Sequence, residues 1–112
     1  MNAPIRVVRA PAIALFSLLV ASAHAAPKTV EVVIEHFAFA PSSVDVAPGD
    51  SVVFINRDIT PHTATAVDGS WTTDDIASGK SERVVVRAAG TGAYFCRYHP
   101  VMKGQLVIAG GK

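Results

Sequence analysis

Short β-branched runs, each closed by a turn-forming residue, restrict this chain's fold more than any other feature. Residues 30–35 alternate roughly between apolar and polar, and 44–46 end at Ala47-Pro48-Gly49-Asp50. Residues 51–55 are a continuous β-branched and aromatic run. Residues 63–67 alternate and stop at Asp68-Gly69, and three further runs cover 83–87, 92–96 and 105–108. Strands at this spacing, separated by turn residues, predict an all-β sandwich of about seven strands. Between residues 26 and 112 no long stretch carries a helical period. Residues 74–79 are the least regular and fit either a loop or one helical turn.

The first 25 residues follow a different rule. Arg6 and Arg9 precede an apolar run over 10–23, and Ala23-His24-Ala25 closes it with small residues flanking a cleavage point. That order predicts a secretory signal peptide over 1–25 and one domain over 26–112. The run is shorter than the ~20 residues a membrane-spanning helix needs, so no span is expected in the mature chain. Charge is nearly balanced, with 10 basic and 9 acidic residues. A chain without a basic stripe is not built for nucleic acid.

The chain has a single cysteine, Cys96. It cannot form an internal disulfide, and an exported thiol is a liability unless something occupies it. Met102 is the only methionine after the leader, and three histidines remain there: His36, His62 and His99. Taken singly, a lone cysteine is ordinarily a small apolar group, a lone methionine core filler and a loop histidine a solvated side chain. Taken together, the only Cys and Met of the domain bracket a His within Cys96-Arg97-Tyr98-His99-Pro100-Val101-Met102. This segment reads as an inter-strand loop kept tight by Pro100 and Gly104. Thiolate and thioether suit Cu(I), imidazole suits either oxidation state, and two His, one Cys and a weak Met form the blue-copper set. His62, after Pro61 and at the head of a strand, is the best fourth ligand. His36 has no Cys or Met near it and reads as a surface residue.

These motifs resemble the cupredoxins, the type 1 blue-copper family, in its amicyanin- and plastocyanin-like branch. Cys96 to Met102, with Tyr94-Phe95 before and Lys103-Gly104-Gln105-Leu106-Val107 after, carries the likeness. So does the stretch from Val52 to His62, including Asn56 and Pro61. Phe37-Ala38-Phe39-Ala40-Pro41 and Val46-Ala47-Pro48-Gly49-Asp50 look like the family's opening strands. The resemblance implies an eight-stranded Greek-key sandwich, one copper ion at one end, and electron carriage in the periplasm. His62, Cys96, His99 and Met102 fall on the family's four ligand positions. Two positions depart from the pattern: Tyr98 stands where a proline is usual, and Thr63 where asparagine is usual. Tyr98 brings a backbone N–H that proline lacks, which could aim at the Cys96 sulfur; alternatively its ring only packs over the loop.

Four protein ligands leave no open position for a substrate, so the expectation is an electron carrier and not an enzyme. His99 is the expected electron port, and Pro61, Pro100 and Val101 an apolar rim for brief docking of redox partners by a monomer. The runner-up is a periplasmic copper carrier or buffer using the same ligands. A structural zinc site is a further alternative, disfavoured by the thioether.

Overall fold

A computed structural model describes residues 2–5, 10–12, 26–87 and 91–110. Most of the leader expected over 1–25 lies outside the described residues. Eight strands follow in order: β1 (Thr29–Glu35), β2 (Ala38–Ala40), β3 (Ser43–Val46), β4 (Ser51–Asn56), β5 (Thr65–Ala66), β6 (Ser81–Val85), β7 (Ala93–Cys96) and β8 (His99–Ile108). They form two four-stranded sheets, ordered β2-β1-β4-β6 and β3-β8-β7-β5. The chain changes sheet repeatedly, so sequence neighbours such as β2 and β3 face each other across the core. Two pairings are parallel: β1 runs beside β4 from Thr29↔Ser51 to Ile34↔Asn56, and β3 beside β8 from Ser43↔Gln105 to Val46↔Ile108.

Period-2 alternation explains which residues face inward. Val32 and Ile34 of β1 and Val52 and Phe54 of β4 are fully buried from one side. Val46, Tyr94, Cys96, Met102 and Leu106 meet them from the other. Each such apolar side chain contributes about 1.5–3 kcal/mol on burial. Tyr94 is the aromatic hub, with ring centroids 4.7 Å from Phe39, 5.4 Å from Phe54 and 5.7 Å from Trp71.

Several boundaries differ from the sequence reading. β2, within the stretch likened to the family's opening strands, is only three residues long. The run 63–67 shrinks to Thr65–Ala66 because the preceding residues bend to pair with residues 72–76. Residues 74–79 form no helical turn: Ile76 bridges His62, and Lys80 N donates to Ala77 O at the turn that follows. The segment 96–102 is less of a loop than expected. Cys96 pairs directly with His99, only Arg97 and Tyr98 turn, and β8 already includes Met102.

The Tyr94 hydroxyl is buried and has no hydrogen-bond partner among the described residues. Desolvation drives its phenol far above the usual range. An unpaired buried hydroxyl costs about 1–3 kcal/mol. Tyr94→Phe keeps the ring and removes the cost, so unfolding free energy should rise by about 1 kcal/mol in urea titrations with an unchanged slope. A loss of comparable size would mean the hydroxyl is satisfied in solution.

Asp50 ties the start of β1 to the β3–β4 turn. Its carboxylate accepts from Lys28 N at 3.0 Å and Ala47 N at 2.8 Å. The Lys28 amide foremost, then the Ala47 amide, hold its pKa below the ordinary 3.8. A lowered folded pKa means stability that is present above the unfolded value and lost as pH falls through the folded one. Asp50→Asn should therefore melt below the parent at neutral pH, with the gap closing as pH drops beneath 3.8. Parallel melting curves at every pH would show that the charge contributes nothing.

Candidate metal centre

The site lies at one end of the sandwich and begins with Asn56 at the end of β4. Asn56 is fully buried, and its amide donates to Thr60 O and Ile76 O, each at 2.8 Å. Its Oδ1 accepts from Asp58 N at 2.9 Å. These three bonds shape the 57–61 loop and deliver His62, whose backbone exchanges hydrogen bonds with Ile76 at 3.2 and 2.8 Å. The His62 ring is fully buried. Its Nδ1 lies 3.7 Å from Cys96 Sγ, and its Nε2 lies 2.8 Å from Asp58 Oδ2.

Cys96 ends β7, with its side chain wholly buried. Thr63 holds it from the other strand: Thr63 N donates to the sulfur at 3.4 Å, and Thr63 Oγ1 accepts from Arg97 N at 3.0 Å. Thr63 thus joins the His62 strand to the Cys96 turn through both backbone and side chain. His99 is half-buried opposite Cys96 in the β7–β8 register, with its ring centroid 5.5 Å from that of His62. Met102 is buried on β8, between His99 and Lys103, which pairs with Phe95. Backbone register therefore carries it to the same end of the sheet. Among the described residues no three His, Cys, Asp or Glu side chains close on one point; the set is two imidazoles, one thiol and one thioether.

The donor types and the Cys96–His62 donor spacing fit a single ion. Bonds of about 2.3 Å to sulfur and about 2.0 Å to nitrogen, typical of a first-row divalent ion, put the two donors about 3.7 Å apart at the ~120° of a trigonal site. That is the Cys96 Sγ–His62 Nδ1 distance of 3.7 Å.

The surroundings complete the picture. Val101 is 90% exposed, and Pro61 and Pro100 are exposed. The His36 side chain is exposed, with its Nε2 3.9 Å from Glu35 Oε1. Among the described residues the backbone donor to the Cys96 thiol is Thr63, not Tyr98. The two-residue turn points the Tyr98 side chain outward, where its hydroxyl donates to Asp75. Sequence reasoning missed two residues. Phe37 packs edge-on against His62 at 5.3 Å and His99 at 4.9 Å, and Asp58 backs His62. Asp58, four residues before His62, was a legible signal. Phe37 was not, because its turn has no glycine or asparagine to mark it.

Comparison with known proteins agrees with this fold. Residues 8–108 match the family model of the cupredoxin-like domain. Amicyanin-alpha of Methylorubrum extorquens is 30% identical over 112 aligned residues, covering 88% of this chain and 94% of that protein. The crystal structure of amicyanin from Paracoccus versutus superposes with a TM-score of 0.62 at 25% identity, covering 71% of this chain and 80% of that one. A copper-containing nitrite reductase from Thermus scotoductus shares the fold, with a TM-score of 0.65 at 24% identity. This chain covers 78% of its own length in that match and spans 23% of the reductase. Two four-stranded sheets with a Cys–His turn at one end define a cupredoxin sandwich. The chain belongs to the cupredoxin-like family, and its relatives there include the amicyanins.

Proposed function

We propose that this chain is a type 1 copper protein that carries single electrons, with His62, Cys96, His99 and Met102 as its metal ligands. The observation that carries the reading is the buried pair of Cys96 Sγ and His62 Nδ1, 3.7 Å apart and on different strands. When bound, copper supplies a one-electron couple between Cu(II) and Cu(I), to which thiolate, imidazole and thioether are all acceptable donors. Cys96 contributes the anionic sulfur, and the Thr63 N–H moderates its charge. His62 is held rigidly inside the sandwich. His99, half-buried, forms the route to the surface. Met102 adds a weak fourth donor.

A closed set of four protein donors leaves no position for a substrate, which supports a carrier over an enzyme. The exposed Pro61, Pro100 and Val101 around His99 suit brief docking of redox partners to a monomer. Among the described residues no helix is long and apolar enough to cross a membrane. Residues 1–25 would direct the domain 26–112 to the periplasm.

The test is a copper titration followed by visible spectroscopy and reductive titration. Expected are one copper per chain, an intense blue oxidised form and reversible one-electron reduction. A colourless protein that prefers zinc would overturn the reading, and rapid surrender of copper to a weak chelator would replace it with metal carriage.

A further inference from the structure

We propose that Asp58 is the positioning residue of this centre, holding His62 with Nδ1 free for metal and Phe37 against both imidazoles. The inference rests on the copper reading above and assigns a role to a residue outside the ligand set. Asp58's carboxylate is 89% buried by the fold, its side chain being 11% exposed. It makes three contacts. Oδ2 meets His62 Nε2 at 2.8 Å, Oδ1 accepts from His36 N at 2.7 Å, and Oδ2 also accepts from Phe37 N at 3.0 Å. Its own amide is held by Asn56.

The first contact decides a proton's place. An ionised carboxylate can only accept, so the ring nitrogen facing it carries the hydrogen. The other polar group near Nε2 is Thr60 Oγ1 at 3.4 Å, which can take either role. With Nε2 protonated, Nδ1 keeps its lone pair, on the edge facing Cys96 Sγ. A carboxylate behind a ligating imidazole also strengthens it as a donor. The stronger donor favours the more highly charged Cu(II).

The other two contacts hold a turn that would not otherwise form readily. His36 and Phe37 link β1 to β2 as a two-residue hairpin, both at φ 55°. Such turns call for residues like Asn-Gly, because a side chain at positive φ is strained. Histidine tolerates that region better than most residues, but phenylalanine does not, and strained backbone persists where its surroundings over-determine it. Here one carboxylate receives both amides. The turn sets the Phe37 ring edge-on to His62 and His99. One side chain thus fixes a ligand's tautomer and the aromatic lid beside it.

Two measurements test this. Nitrogen-15 NMR of the metal-free protein should show His62 as the Nε2–H tautomer; an Nδ1–H form, or a rapid mixture, would overturn the proposal without any substitution. In the copper-loaded protein, Asp58→Asn should weaken Cu(II) about tenfold relative to Cu(I), raising the reduction potential by about 59 mV. Phe37→Leu, which leaves the carboxylate in place, should move it far less. Equal shifts in the two variants, or none in Asp58→Asn, would reduce Asp58 to a structural tie. Failure of the parent to bind copper would overturn the copper reading instead, with the tautomer still measurable.

Discussion

Cys96→Ser is expected to abolish the intense visible absorption of the copper-loaded protein while leaving the sandwich folded. The colour of a copper–thiolate site comes from sulfur-to-metal charge transfer, and a hydroxyl has no comparable filled orbital. Serine is smaller and more polar than cysteine, but Thr63 N and the neighbouring polar groups can hydrogen-bond its oxygen, so the fold should tolerate it. Loss of an outer partner of a metal site costs roughly 10–100-fold in affinity. Removal of the anionic ligand itself should cost more. The measurements are a visible spectrum and a competitive copper titration, with far-UV circular dichroism as the check on folding. A serine variant that stays intensely blue would remove Cys96 from the site and with it the whole assignment.

Gly104→Ala should destabilise the domain more than any other single-methyl addition in β8. A Cβ at Gly104 would collide with the ring carbons and hydroxyl of Tyr94, the residue paired with it across the β7–β8 ladder. Tyr94 cannot retreat, because Phe39, Phe54 and Trp71 enclose it. Overpacking of this kind costs about 1–3 kcal/mol, occasionally more. In a domain near 100 residues each kcal/mol shifts the melting temperature by about 4–8 °C. A second substitution separates collision from loss of backbone freedom. Tyr94→Leu in the alanine background should cost much less than it does in the parent, since the two side chains compete for one space. Strictly additive losses would place the damage elsewhere.

The strands were legible because their inward faces alternate: Val32 and Ile34, or Val52 and Phe54, announce a sheet by period alone. The candidate donor set was legible because Cys96 and Met102 have no rivals in the domain. Pairing partners were not. Nothing in β1 says that it lies parallel to β4, since parallel neighbours are joined through the other sheet and leave no turn signature. The reach of β8 back to His99 was hidden by Pro100, which argues against a strand unless it sits at an edge or irregularity. A register shift between Phe95 and Cys96 marks such an irregularity beside it. The Tyr98 N–H was the natural guess for a donor to sulfur because it is close in sequence. Thr63, 33 residues away, supplies that bond instead. Its hydroxyl also accepts from the Arg97 amide.

That separation bears on the order of assembly. Cys96 and His62 are 34 residues apart, and the first sheet pairs β1 with β4 while the second closes β3 onto the C-terminal β8. No fragment of the chain lacking its last strand can complete the pocket. Folds dominated by such distant pairings condense in milliseconds to seconds. Trp71, stacked on Phe54 at 6.3 Å, reports that condensation by fluorescence. When unfolded chain is diluted into copper-containing buffer, the blue band should therefore grow no faster than the tryptophan signal, the ion arriving as the last component of a finished frame.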